Sequence, residues 1–579
     1  MKITFAIILA ITSFAAGAQV VWHNPKEEGA RLHNQTLTEE ARSNYYHRLP
    51  DRVEKEVRTP VWNLSKNGAG LSLKFYTNSP QIRVRYTVGE GHGFPHMPST
   101  GKSGVDLYGY DENGDEKWYA ARYNFADTIN YNYSIPYPHP MHELGYEFEL
   151  YLPPYNTVKW LEIGVDSSAY FKFIEPSLEK PIIAYGTSIT QGACASRPGL
   201  IWTSILKRRM DAPLVNLGFS GNGRLEKSLV DIICATPSKA VIIDCMPNMA
   251  AMLDVIAQRL DSTVRAIRAA QPDVPILIAD HLGMPATAKW DGLQKGVEET
   301  MKIQRATYEK LVAEGFTKLY FLSYDELAMP MDGTVEGVHP NDIGMMAYAN
   351  AYEKMLRKML YEPQGEVSSQ IPRRQRREPH VYEWRERHEE NMRQAREQQP
   401  DLVLIGNSIT HYWGGSNRAF GSDTWEEKIA PLNVVNLGMG WDRTENVLWR
   451  IYHGALEGFS AKRIIVTLGV NNILAGRGSE VVPGMEMIID AIRLRQPDAE
   501  LVINAIYPAR NREQEIAAVN IELEKLCRAK KVTYKNFGIK FLGKDGKINE
   551  KYFSDGLHPN AEGYRLIADE FIVNSALNN

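Results

Sequence analysis

An apolar run ending in Gly-x-Ser-Ile-Thr occurs twice in the chain, as IIAYGTSITQG at 182–192 and as LVLIGNSITHYW at 402–413. A serine that ends a buried strand, where the chain must turn into a helix, stands at the carboxyl edge of a sheet. That edge is where open α/β sheets place their ligands. Other landmarks recur at matched intervals from each serine. Asn216 in NLGFSG and Asn436 in NLGMGW both lie 28 residues downstream. Asn248 follows at +60 and Asn471 at +63, then His339 at +151 and His558 at +150. The order and spacing identify two divergent copies of one architecture.

At 579 residues the chain exceeds a single core. From about 20 to 175, short runs such as SLKFYTN, QIRVRYTV and YEFELYLP alternate polar with apolar residues between Gly, Pro and Asn clusters, which predicts an antiparallel sandwich. From 181 to about 360, and again after 401, apolar strands alternate with helical stretches, as in α/β domains built on parallel sheets. The expected organisation is a signal peptide at 1–18, a β-sandwich accessory domain at 19–176, a first α/β domain at 177–362, a linker at 363–379 and a second α/β domain at 380–579. The basic run Arg373–Arg377 sits among acidic residues and reads as part of a solvated linker. Trp384 and Met392 mark a surface helix opening the last domain.

MKITFAIILAITSFAAGA carries Lys2, an apolar run and Ala16-Gly17-Ala18, the pattern of a secretory signal peptide with a mature start near Gln19. No Cys follows that site, so no lipoprotein anchor is expected, and no later run reaches the roughly 18 apolar residues of a membrane span. A secreted or periplasmic protein is expected. A formal charge of −4 gives no reason to expect nucleic acid. Cys194, Cys234, Cys245 and Cys527 are too few for a disulfide framework; buried thiols are expected, with one incidental bridge among the first three as the alternative.

A serine hydroxyl becomes a nucleophile only when a neighbouring base takes its proton. For Ser408 the candidate base is His558, and Asp555, three residues upstream, is placed to accept the other imidazole N–H and hold the ring in its useful tautomer. Backbone N–H groups after NVVNLGMG, the Ser408 N–H and the Asn471 amide are candidate donors to a tetrahedral oxyanion.

In that order GNSIT, a Gly-containing second block, GxNN and DxxHP resemble the four blocks of the SGNH (GDSL-like) hydrolase family. GNSITHYW and NLGMGWDRTENVLWR most resemble its platelet-activating-factor acetylhydrolase-like branch. The resemblance implies a flavodoxin-like fold, no metal or organic cofactor, and hydrolysis of an ester, often an acetyl group on a carbohydrate. It makes Ser408 the nucleophile, His558 the base, Asp555 its partner and Asn471 an oxyanion donor. The usual GDS is GNS here, and the expected oxyanion glycine is Trp441, whose indole would narrow the pocket. The first copy is similar to the same clan, and GVDLY (Gly104–Tyr108) resembles the β-rich domain that precedes certain bacterial SGNH esterases. Carried over, Ser188 is the nucleophile, Gly221 and Asn248 are oxyanion donors, His339 is the base and Glu336 its partner. Glu336 departs from the family's Asp by one methylene, with Asp332 as a fallback, and DCMPNM is a degenerate third block.

Asn216 and Asn436 read as loop-stabilising residues, and the proline of each His-Pro pair as fixing the loop before the last helix. His92, His96, His139 and His142 read as loop histidines rather than a metal site. YNYSIPYP (131–138) reads as sandwich-edge or interface aromatics before sugar-stacking ones. Tyr412-Trp413 either lines the acyl pocket or anchors the first helix. The leading expectation is a serine esterase removing acetyl or other small acyl groups from an acetylated carbohydrate at two sites. The alternatives are a lipid-directed acylhydrolase, such as a lysophospholipase or thioesterase, and a first copy that binds glycan without cutting it. The glycan, the ester position and the oligomeric state stay open.

Overall fold

The apolar runs after Ile182 become strands buried on both faces. In the computed structural model, which describes residues 19–136, 144–280, 291–378, 382–415 and 419–574, Leu214–Gly218, Ile182–Gly186, Ala240–Asp244, Ile276–Ala279 and Leu319–Leu322 lie side by side in that order, all parallel. Val434–Asn436, Leu402–Gly406, Arg463–Thr467, Glu500–Asn504 and Thr533–Lys535 repeat the arrangement. In both sheets the first strand in sequence lies between the second and third, the 2-1-3-4-5 order of flavodoxin-like sheets. The order reverses beside that first strand, so a crevice opens at its carboxyl end, and Ser188 and Ser408 follow it within two residues.

Alternation along each strand divides the first core in two. Ile183, Tyr185, Val241 and Ile243 pack on one face of the sheet, and Ile182, Ala184, Ala240 and Ile242 on the other. The second α/β domain builds one large cluster around Leu402–Ile405, Ile464–Val466 and Val502–Ile503.

The N-terminal region is a sandwich of two five-stranded antiparallel sheets. Phe75, Ile82, Val84, Leu107, Phe148, Leu150 and Leu161 meet between them. Tyr131 and Tyr133 are buried in that core, on the strand Ile129–Ser134; Tyr137 and Pro138 lie outside the described residues, as do 1–18, His139 and His142. In GVDLY, Asp106 joins domains: its carboxylate accepts from Trp118 Nε1 (2.6 Å), Arg197 Nη1 (2.5 Å) and the Gly199 N–H (3.0 Å).

One expectation needs correcting. Arg373–Arg377 is not a solvated linker, because Arg374, Gln375, Arg376 and Arg377 are all buried, along with Glu378. Their charges do not face water: each guanidinium finds a carboxylate, a carbonyl or an aromatic face in the sandwich or the second α/β domain. The helix Trp384–Gln398 then buries Trp384, His388, Met392 and Ala395 and exposes its charged side. All four cysteines are unpaired; Cys194, Cys245 and Cys527 are buried and Cys234 is partly so. Among the described residues no helix is long and apolar enough to cross a membrane.

At the sheet position beside Gly186 the first domain buries a carboxyl, Asp244, where the second has Thr467 beside Gly406. Burial raises Asp244 to about 7 from the ordinary 3.8. The folded-state value lies above the unfolded one, so the stabilisation from holding the neutral acid is complete below about pH 4 and lost as pH rises through about 7. Asp244→Asn is expected to raise Tm at pH 8 by at least ~3 °C and to change it less at pH 5, as thermal unfolding at the two pH values will show. An equal shift at both would remove the ionisation of Asp244 as the cause.

Candidate active sites

In both copies the serine opens a four-residue helix, and the residue before it caps that helix: Thr187 Oγ1 accepts from the Ile189 N–H (3.3 Å) and Asn407 Oδ1 from the Ile409 N–H (3.0 Å). The asparagine of GNS thus supplies an Ncap acceptor without a charge. Asn216 and Asn436 brace the turn from below. Each donates Nδ2 to the carbonyl two residues after the serine, Thr190 (2.6 Å) or Thr410 (2.8 Å), and accepts from Gly218 or Gly438.

The sheet then brings together residues about 150 positions apart. Ser188 Oγ lies 2.8 Å from His339 Nε2, and Ser408 Oγ lies 2.9 Å from His558 Nε2. Asp555 Oδ2 receives His558 Nδ1–H at 2.7 Å while Oδ1 accepts the His558 backbone N–H, also at 2.7 Å. Glu336 makes the same two-point grip, Oε1 on His339 Nδ1 and Oε2 on the His339 backbone N–H (3.1 Å). The extra methylene is absorbed without losing either contact, and Glu336 rather than Asp332 contacts the imidazole. Asp332 contributes its backbone carbonyl to Asn341. A glycine follows each carboxylate, Gly337 (φ 91°) and Gly556 (φ 84°), because the chain must turn through the left-handed region to fold acid and imidazole together. Burial pushes both carboxyls up. The hydrogen bonds from the histidine ring and backbone outweigh it, holding Glu336 and Asp555 below the ordinary range.

The asparagine after each His-Pro pair ties down the loop behind the histidine, where the proline also bridges to Thr334 or Phe553. Asn341 caps the helix Asp342–Met359, accepting from Ile343 and Gly344, and donates to the Asp332 carbonyl (2.6 Å). Asn560 accepts from Gly563 (3.0 Å) and donates to the Lys551 carbonyl (2.8 Å). Both asparagines stand in the repeated His-Pro-Asn, where the sequence signal was available.

The oxyanion candidates differ between copies. Gly221 (φ 69°) and Trp441 (φ 64°) share one backbone shape 33 residues after their serines. A Cβ on Gly221 would meet open space, whereas Trp441 is 45% exposed. Left-handed backbone costs a residue with a Cβ about 1–2 kcal/mol, so something must hold Trp441 there. Asn248 Oδ1 accepts from the Gly223 N–H (3.0 Å), and its NH2 has no protein acceptor among the described residues. Asn471 uses one amide hydrogen on the Asp442 carbonyl (2.9 Å) and keeps another.

The sequence missed what flanks the serines. His96, from the sandwich loop GHGFPHMP, stacks on His339 with centroids 6.0 Å apart; Phe94 stacks on His96 at 5.8 Å. Tyr155 of the sandwich donates its hydroxyl to the Ser188 carbonyl (3.0 Å). No spacing marks these residues, since their loops carry no period and meet the serine only through docking of the sandwich. At the second site Tyr412 packs 5.2 Å from His558 and Phe420 stands edge-on to Tyr412. Trp413 faces the core against Tyr564 and Phe571, so the pair divides its work between wall and anchor. Among the described residues no cluster of three or more His, Cys, Asp or Glu is placed to hold a metal.

Comparison with known proteins agrees with this geometry. Residues 179–357 and 404–566 each match a model of the GDSL-like lipase/acylhydrolase family, and residues 20–171 match GxDLY, the N-terminus of SGNH hydrolase-type esterases. Human platelet-activating factor acetylhydrolase IB subunit alpha2 is 28% identical over 189 residues, 32% of this chain and 80% of that protein. Human subunit alpha1 is 27% identical over 186 residues, 31% of this chain and 78% of that one. The crystal structure of a protein assigned as a GDSL-like lipase from Bacteroides ovatus aligns with TM-score 0.54 and 29% identity, covering 59% of this chain and 98% of that one.

Replacing the carboxylates tests the relay one site at a time. In a Ser408→Ala background, Glu336→Gln is expected to lower kcat by about 10²–10⁴ with little change in KM, and Asp555→Asn to do the same in Ser188→Ala. Glu336→Asp, now short of the ring by about a bond length, should lose about 10–100-fold. Steady-state kinetics on nitrophenyl acetate reads all three, and a Glu336→Gln enzyme with undiminished kcat would rule the glutamate out.

Proposed function

We infer that this chain, which carries two GDSL-like (SGNH) acylhydrolase domains behind a GxDLY-type N-terminal domain, is a carbohydrate O-deacetylase with two serine esterase sites. The observation that carries the reading is the repeated relay, Ser188–His339–Glu336 and Ser408–His558–Asp555, each closed through hydrogen bonds at the carboxyl edge of a parallel sheet. The histidine Nε2 takes the serine proton as Oγ attacks the ester carbonyl carbon, and the carboxylate on Nδ1 steadies the imidazolium that forms. The serine N–H, the N–H of Gly221 or Trp441, and the amide of Asn248 or Asn471 receive the oxyanion. Collapse expels the alcohol, which leaves with the proton from Nε2, and water repeats the sequence on the acyl-serine.

Acetyl as the acyl group is supported by the relatives, which are named acetylhydrolases. A sugar as the alcohol is supported by the exposed aromatic faces beside each serine, Phe94 and the imidazole of His96 at the first, Phe420 and Trp441 at the second. Flat apolar faces with polar neighbours suit the faces of pyranose rings. Export through the leader at 1–18 belongs to the same reading, since a glycan substrate lies outside the cytoplasm.

The two sites are built with different walls and are expected to take different esters. Acetate release from nitrophenyl acetate, from longer nitrophenyl esters and from a panel of acetylated glycans should fall to background only in the Ser188→Ala/Ser408→Ala double variant. Each single variant should lose a different set of glycans. Preference for long acyl chains would replace the carbohydrate reading with a lipid-directed one. Loss of every activity in Ser408→Ala alone would leave the first site a binding domain.

A further inference from the structure

The segment Arg373–Glu378 lies between the sandwich and the second α/β domain, and its side chains bind both. Arg374 donates to Glu147 (2.8 Å) with its guanidinium 3.5 Å over the Tyr110 ring. The Arg376 N–H donates to the Glu112 carbonyl (2.8 Å), and its guanidinium binds the Gly145 carbonyl and lies 4.0 Å over Tyr76. These five partners belong to the sandwich; the Arg376 guanidinium also pairs with Glu383 (2.7 and 2.8 Å) at the start of the second α/β domain. Gln375 and Arg377 turn the other way. Gln375 Nε2 donates to the Gly440 carbonyl (3.0 Å) and to Asp442 Oδ1 (3.1 Å), and Arg377 Nη1 donates to the Trp441 carbonyl (2.8 Å). Gln375 Oε1 accepts from the Arg377 N–H (2.7 Å), which sets the amide with its NH2 toward Gly440.

The Gly440 carbonyl and the Trp441 N–H belong to one planar trans peptide and point in opposite directions. Whatever holds the carbonyl therefore aims the N–H. The peptide on either side is held as well: the Gly440 N–H donates to the Tyr382 hydroxyl (2.9 Å), and the Trp441 carbonyl is the one gripped by Arg377. These contacts account for a tryptophan kept at φ 64° where the first copy has a glycine. The first copy ties its loop differently, through Gln191 on the Ser220 N–H and Asn248 on the Gly223 N–H.

We propose that Gln375 and Arg377 are positioning residues of the second site: anchored to the sandwich through Arg374 and Arg376, they hold the Gly440–Trp441 peptide so that its N–H faces the oxyanion formed at Ser408. The proposal rests on the reading of Ser408 as nucleophile. It makes the sandwich a structural part of both sites, covering the first with His96 and Tyr155 and bracing the second through the segment between the domains.

The test uses the full chain carrying Ser188→Ala, with nitrophenyl acetate as substrate. Gln375→Met removes the donor while keeping volume, and is expected to lower kcat about 10–100-fold, short of the loss from deleting an oxyanion donor outright. KM should stay within about twofold and the pH midpoint of kcat should not move. Gln375→Glu, which presents oxygen to the Gly440 carbonyl, should lose more. Arg377→Lys serves if the Gln375 variants do not fold, and should lose kcat in the same sense. In every folded variant, binding of an alkylboronic acid, a tetrahedral mimic, should weaken in step with kcat. Variants with unchanged kcat, or with a loss confined to KM or Tm, would overturn the proposal and leave these contacts structural. Ser408→Ala in the same background separates the two ideas: full activity there fells the reading of Ser408 and the proposal together, whereas no activity there with normal Gln375 variants fells the proposal alone.

Discussion

The architecture turns on two buried carboxylates, Glu147 and Glu149, two residues apart on one strand of the sandwich and hence on one face of it. A buried charge is tolerated only when it is paired, and here the partners come from three parts of the chain. Lys74 belongs to the neighbouring strand, Lys207 to a helix of the first α/β domain, and Arg374 to the segment leading to the second. Burial pushes both carboxyls up, and these cations override it, holding both well below the ordinary carboxylate range. Glu147 is shared by Lys74 and Arg374, and Glu149 by Lys74 and Lys207, so contacts from all three domains meet at one point. Arg48 does related work nearby, donating to the Asn216 and Gly218 carbonyls at the mouth of the first site.

Because the sandwich is held there, it reaches both serines by different means. At the first it lays His96 against His339 and ties the Ser188 carbonyl through Tyr155. At the second it acts at a distance, through a segment whose side chains bind both it and the loop Gly440–Asp442. The two copies therefore keep one relay while their surroundings have diverged. Gly221 leaves space where Trp441 presents an indole, and His96 borders the first histidine where Tyr412 borders the second. Divergence of walls around a relay that differs only in its carboxylate, Glu336 or Asp555, is what a division between substrates would require.

Much was legible in the chain because sheet order and strand ends constrain where chemistry can stand. Alternation of apolar strands with helical stretches foretold two parallel sheets, matched intervals from Ser188 and Ser408 foretold two copies, and the histidine at the end of the longest interval meets the serine in each. The glutamate of VEGVHP was harder to judge, since one methylene can ruin a hydrogen bond; only the loop geometry, with Gly337 turning the chain, shows Glu336 reaching His339. YEFELYLP alternates polar with apolar residues as a sandwich strand does, and its polar face is buried as well as its apolar one.

The sequence by itself determined the repeated α/β frame, the sandwich before it and the two sets of serine, histidine and carboxylate, because these depend on local periodicity and on spacing along the chain. Tertiary structure alone decided that RQRR (374–377) would be buried rather than solvated, that His96 and Tyr155 would border the first site, and that Gln375 would grip the loop carrying Trp441. Those outcomes depend on which charged surface docks against which. The pairing of Glu147 and Glu149 with Lys207 and Arg374, 58 to 227 residues away, leaves no mark in any local window of sequence.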